Sequence, residues 1–190
     1  MKKLKAFAGL ILIFGIFTGC DNYSKQYDTN TLIVNKNGSV VEVSVEDFKG
    51  SSVKADDLSA YVEDQVGAYN EKAGNKIEVK SIEAEDMSHV KLVLAYKDLK
   101  SYDEFNLLEY SLLDIGDVKE SELTGSYTST DDKKANPTDI IAAGKGKVLT
   151  VSEGTDIVIK GNLMYYNDEV TVKDGVLSTS GKKNAIIVFK

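Results

Sequence analysis

The pattern of apolar and polar positions divides the chain sharply. Behind Lys2, Lys3 and Lys5 runs Ala6 to Gly19, fourteen residues without a charge, and from Asp21 the chain stays polar for ten residues. Fourteen is short of the ~20 apolar residues that span ~30 Å of hydrocarbon. A basic start, a brief apolar run and small residues at its exit describe a secretory leader; the alternative is a buried N-terminal helix.

Past this leader, residues 21–30 show no periodicity and read as a tether, reaching at most ~35 Å when extended. The stretch TLIVNKNGSVVEVSVEDF predicts a hairpin, with Asn37-Gly38 in a two-residue type I′ turn. That turn pairs Val34 with Val41 and Leu32 with Val43. It gathers all four on one face and points Glu42 and Ser44 the other way. A helix is predicted from Lys54 to Gly74, with Leu58, Tyr61, Val62, Val66, Tyr69 and Ala73 on one stripe. Its start holds Asp56 and Asp57, and Gly74 suits the left-handed end position. Tyr61 and Tyr69 are either core or a binding stripe. Strands are predicted next over residues 76–84 and 90–96, the second alternating with Val90, Leu92, Leu94 and Tyr96 on one face. Ser101 and Glu104 stand at capping-box spacing and open a short helix carrying Phe105, Leu108 and Leu112.

Between Leu123 and Thr138 the chain turns polar and holds Pro137, the sole proline. It reads as a surface loop or a linker. Short strands are predicted after it at residues 147–151, 156–159, 163–166, 170–172 and 185–189. The expected fold is α+β: antiparallel hairpins packed with one main helix, then a strand-rich C-terminal half. Residues 1–19 are the leader, 20–30 the tether and 31–190 the globular domain, with a subdivision at 123–139 left open.

Composition narrows the setting. With the leader's three lysines gone, 20 Lys face 30 acids, a net charge of −10 on 171 residues. Such a body is poorly suited to nucleic acid, whose binding rests on neutralising phosphates, and to lying on anionic lipid. The chain has no Arg, so bidentate guanidinium recognition of carboxylate or phosphate is closed to it. Cys20 is the single cysteine, which excludes an intrachain disulfide and leaves an unpaired thiol to explain in an exported chain.

Phe17-Thr18-Gly19-Cys20 resembles the bacterial lipobox, differing at Phe17, where the usual residue is Leu. The resemblance implies that Cys20 receives a diacylglyceryl group and that residues 1–19 are then removed. It accounts for the lone cysteine, because the sulfur becomes a thioether. Two or more acyl chains give stable attachment, at ~0.8 kcal/mol per buried CH₂. The resemblance thus implies a lipoprotein on the cell membrane with its domain outside the cytoplasm. The order of hairpin, Val45-Glu46-Asp47-Phe48, acidic helix, two strands and Tyr102-Asp103-Glu104-Phe105-Asn106 is similar to uncharacterised lipoproteins of clostridia-like Gram-positive bacteria. That likeness implies architecture and no activity.

Catalytic equipment is sparse. His89 is the only histidine, placed at a turn before a strand, and adjacent residues in a strand point apart, so Ser88 and His89 make a poor nucleophile–base pair. Zinc needs several His or Cys ligands. Glu83, Glu85 and Asp86 lie near one turn, and Asp131 and Asp132 lie together in the polar loop. Paired acids serve glycoside hydrolysis or calcium, but no stretch has the spacing of a calcium loop. AAGKGK at 142–147 lacks the phosphate-loop pattern. The expectation is a non-enzymatic binding or structural domain without metal or cofactor, its partner an envelope protein or glycan, with an acid-pair hydrolase of cell-wall polymer as the alternative. Loops carry function more often than strands do, so Tyr127, Asp131 and Asp132 are the candidate contacts.

Overall fold

A computed structural model describes residues 22–84 and 87–190. Cys20 and the leader lie outside the described residues, as do Glu85 and Asp86 of the acidic turn. In chain order the elements are α1 (Tyr23–Gln26), β1 (Thr31–Asn35), β2 (Val40–Glu46), α2 (Ala55–Ala73), β3 (Ile77–Glu83), β4 (Val90–Tyr96), α3 (Leu99–Asn106) and β5 (Ser111–Asp114). Two 3₁₀ turns come next, Ile115–Asp117 and Glu120–Glu122, then β6 (Tyr127–Ser129), β7 (Lys134–Ala135), α4 (Pro137–Ala142), β8 (Lys147–Val151), β9 (Asp156–Lys160), β10 (Leu163–Asn167), β11 (Val170–Lys173), β12 (Val176–Thr179) and β13 (Ala185–Phe189). The class is α+β, with one main helix and a strand-rich C-terminal half.

The strands make two sheets. Sheet A runs β11-β12-β9-β1-β2-β4-β3, and sheet B runs β5-β8-β13-β10-β6-β7. Sheet A takes strands from both sides of residues 123–139, joined where β1 lies parallel to β9. The inner faces share the main core, in which Leu32, Val34, Leu94 and Ile157 of sheet A meet Leu149, Val151, Ile187 and Phe189 of sheet B. Helix α2, packed along β3, and helix α3, set against β4 and β5, add Val62, Val66, Leu99 and Tyr102 to that core. Two smaller cores lie on the outer faces. Ile33, Val41, Val43 and Val93 sit on the far side of sheet A beneath Tyr23 and Tyr27. Val148, Ile186, Val188 and Tyr127 sit on the far side of sheet B beneath Ile115, Leu123 and Ile140.

The first hairpin forms, but its register differs from the predicted one by a residue. Gly38 has φ +88° while Asn37 is not in the positive region, so the turn is not type I′. Lys36, Asn37 and Gly38 form a three-residue loop, closed by the Gly38 amide on Asn35 O and the Asn35 amide on Ser39 O, both 2.9 Å. Asn37 Oδ1 accepts from the Ser39 amide and hydroxyl at 3.0 and 2.8 Å, which holds Asn37 in the ordinary turn conformation. Leu32 therefore faces Glu42, and Val34 faces Val40. A one-residue slip turns every side chain to the other face, so Val41 and Val43 go to the outer core while Glu42 and Ser44 turn toward the main one.

Other boundaries move for similar local reasons. Helix α2 ends at Gly74, whose φ of +81° supplies the left-handed position. Its predicted stripe breaks at Tyr61, which is 62% exposed, whereas Tyr69 packs edge-on against Phe105 and donates to Glu104 at 2.9 Å. Helix α3 starts at Leu99 because Asp98 is its cap, accepting the Ser101 amide at 2.8 Å; Ser101 is not the cap. Leu107, at φ +57°, ends it before Leu108 and Leu112. The polar stretch 123–138 holds β6, β7 and the start of α4, which opens on a capping box between Asn136 and Asp139 with Pro137 in the first turn.

Residues 22–28 are not an extended tether. Ser24 is buried, and Tyr23 and Tyr27 pack on sheet A. Lys91, 6% exposed on β4, donates from Nζ to Ser24 O and to Asp28 Oδ1, each at 2.6 Å. A lysine so buried needs its donors satisfied, and here the N-terminal segment satisfies them. The Lys91 hydrogen bond holds the Asp28 carboxyl below the usual carboxylate range.

Candidate functional site

The cover over the outer face of sheet B is incomplete, and a groove of about 350 Å³ lies where it stops. Register explains its floor. Leu113 pairs with Val148 and Ser111 with Thr150 across β5 and β8, and Thr150 pairs with Ile186 on β13, so all five share one face. Leu113, Val148 and Ile186 make an apolar floor, with Ser111, Thr150 and Asn184 at one rim and Val118, Glu122 and Leu123 as the opposite wall. Leu113 is 42% exposed, a large apolar side chain left open at the sheet edge. The wall's carboxylate already has work: Glu122 Oε2 accepts the Lys119 amide at 2.9 Å and caps the second 3₁₀ turn. An apolar floor with a few convergent polar groups, in the usual volume range of ~300–1,000 Å³, is the general form of a small-ligand site.

A second, more open depression of about 400 Å³ lies at Thr29, Asn30, Gly154, Thr155, Asp156 and Thr179. Its polar groups are largely engaged with one another. Thr179 Oγ1 accepts the Thr155 amide at 2.8 Å and donates to Glu153 O at 2.6 Å, and Ser178 Oγ donates to Asp156 at 2.6 Å.

The changed register of the first hairpin creates a polar nook in the main core. Tyr96 donates its hydroxyl to Glu42 Oε2 at 2.6 Å, Ser44 donates to Oε1 at 3.2 Å, and Asn106 Nδ2 donates to Tyr96 Oη at 3.3 Å. Tyr102 stands edge-on to Tyr96 with ring centroids 5.2 Å apart, and Tyr110 is tilted against Tyr102 at 5.8 Å. Burial pushes the Glu42 carboxyl above the usual carboxylate range, against hydrogen bonds from Tyr96, Ser44 and Asn106 that favour its anion. Burial, then the nearby Glu42 charge, raises the phenols of Tyr96 and Tyr102. Burial and Glu153 push Tyr110 up to about 12.

The sign of the Glu42 effect is testable. An acid that binds its proton more tightly when folded contributes most below its unfolded pKa of ~4.3 and loses that contribution as pH rises through the folded value. Glu42→Gln removes the titration while keeping the shape and an oxygen for Tyr96. Its urea midpoint, relative to the parent, is expected to rise as the pH climbs above ~4.3 and to level off once the folded carboxyl has ionised. Parallel midpoint curves would show that Glu42 carries no such strain.

The residues proposed from sequence are dispersed. Tyr127 is 0% exposed and belongs to the outer core of sheet B, so it is not a surface contact. It was legible as an aromatic in a polar stretch, but only β6 pairing with β10 reveals that it is covered. Its hydroxyl is the one buried side-chain polar atom without a hydrogen-bond partner among the described residues. Asp131 and Asp132 are exposed at the tip of the β6–β7 hairpin, where Asp132 takes φ +58° and Lys133 lies 3.9 Å from Asp131. His89 is exposed in the turn before β4, and Glu83 is exposed at the end of β3. The groove escaped sequence reading because its lining comes from β5, β8, β13 and the 3₁₀ turns, which only pairing brings together. The Glu42 nook escaped it through the assumed turn type.

Comparison with family models, with curated proteins and with solved structures found no match for this chain.

Proposed function

We propose that the protein is a lipid-anchored lipoprotein of the cell membrane whose extracytoplasmic domain works by binding, without catalysis, and that the groove on sheet B is where it binds. The observation that carries the anchor is Phe17-Thr18-Gly19-Cys20, placed at the end of a basic-then-apolar leader and directly before the folded chain. Supporting the binding role, the groove joins an apolar floor to hydroxyl and amide groups at its rim, while its wall carboxylate is engaged as a cap. A small amphipathic molecule, such as a fragment of envelope glycan, fits that lining.

The test is made in cells with the parent chain and Cys20→Ser. The parent is expected to sediment with membranes and to yield an N-terminal peptide starting at acylated Cys20, whereas Cys20→Ser is released or stays uncleaved. A variant that still fractionates with washed membranes as a cleaved chain overturns the anchor. For the groove, a ligand found by thermal shift should lose its effect with Leu113→Lys, which charges the exposed edge of the apolar floor at little cost to folding. A shift unaltered by Leu113→Lys places binding elsewhere.

A further inference from the structure

Lys91 latches the N-terminal segment onto the outer face of sheet A. Cys20 and Asn22 are separated by Asp21 alone, so a lipid on Cys20 lies at most ~7 Å of extended chain from Asn22. From Tyr23 onward the chain is held down. Tyr23 and Tyr27 cover the outer core of sheet A, Ser24 is buried, and Lys91 bonds both Ser24 O and Asp28 at 2.6 Å. Ten free residues would have let the domain stand ~35 Å off and turn at will. Here the chain allows neither.

We propose that the outer face of sheet A, the face carrying α1, rests against the lipid headgroups, and that the groove on sheet B faces away from the membrane. This rests on the reading of Cys20 as a lipidated residue. The three cores give the geometry: α1 covers the outer face of sheet A, the main core lies between the sheets, and the groove opens on the outer face of sheet B. Packed sheets are ~10 Å apart, and α1 and the groove lie beyond them on opposite sides. The surface of α1 suits the position. Lys25 and Gln26 are exposed and Tyr23 and Tyr27 are half-buried, and tyrosine is at home where an apolar layer meets a wet one. The groove's ligand then comes from the wall or the medium and not from the bilayer beneath.

The test uses the full-length chain purified from membranes and reconstituted in phosphatidylcholine vesicles carrying a few per cent of a lipid with a nickel-chelating headgroup. Single cysteines at exposed positions, Gln26→Cys and Leu113→Cys, each receive a nitroxide. Relaxation by headgroup nickel is expected to be several-fold stronger at position 26 than at 113. In a Lys91→Met background that contrast should collapse, because residues 22–28 are freed to act as a flexible tether. If Lys91→Met does not unfold cooperatively, Tyr23→Ser with Tyr27→Ser, at the two half-buried residues that pin the segment to sheet A, makes the same comparison. Equal relaxation at both positions in an acylated chain overturns the orientation and leaves the anchor standing. A chain whose N-terminal peptide carries no acyl group, and which does not bind the vesicles, overturns both.

Discussion

Phe189→Ala is expected to lower the unfolding free energy by about 3–5 kcal/mol, the range for truncating a buried phenylalanine. Phe189 has no exposed surface and sits in the core shared by both sheets. Its strand is paired on both sides, facing Lys147 of β8 and Leu163 of β10. The cost of a cavity depends on whether the surroundings collapse into it, and here they are held by close backbone contact. A Cβ at Gly146 would come within 2.7 Å of Phe189 O, and one at Gly161 within 3.3 Å of the Phe189 ring. With little freedom to relax, the loss belongs in the upper part of the range. Urea unfolding followed by circular dichroism measures it. A loss under about 1 kcal/mol, ordinary for a surface change, would show that the sheets do not depend on this ring.

Asn167→Ala is the second large effect, expected at about 2–3 kcal/mol. Asn167 ends β10 with its side chain buried, and it does for β13 what a neighbouring strand would do. Its Oδ1 accepts the Ile186 amide at 3.0 Å, and its Nδ2 donates to Asn184 O at 2.9 Å. Alanine leaves the buried Ile186 amide without an acceptor, at ~1–3 kcal/mol for a stranded buried group. Asn184 is exposed and its carbonyl can turn to water, which keeps the total moderate. Asn184 and Ile186 also line the groove, so the same variant should weaken any ligand found there. Hydrogen exchange gives the decisive reading: faster exchange confined to residues 184–187. Uniform acceleration across both sheets would mean the side chain supports the whole domain and not this junction.

Much of the fold was legible because it is written in local chemistry. Strands β4, β8 and β13 fall where alternation and short apolar runs place them, and α2 runs from its acidic first turn to Gly74. The parts that were not legible depended on single residues whose effect spreads. Asn37 accepting from Ser39 lengthens a turn by one residue, and that one residue carries Glu42 from a surface face into the core. The TLIV run of β1 could not warn of this, because apolar side chains on both faces satisfy either register. Tyr23 and Tyr27, four apart, were the only trace of α1 in a polar stretch, and a one-turn helix is too short to show periodicity. Asn136-Pro137-Thr138-Asp139 did hold the start of α4, but it lay within a segment whose composition reads as loop.

By itself the sequence determined the α+β class, most strand positions, the main helix and the motif at Cys20 on which the proposed anchor rests, since propensity, capping and short motifs act over a few neighbouring residues. Which strands pair, which face each turns inward, and what lies beside what were decided only in the tertiary structure. These are settled by burying two faces of each sheet at once, a condition that no local window contains. The groove, the Glu42 nook and the Lys91 latch all arise from it.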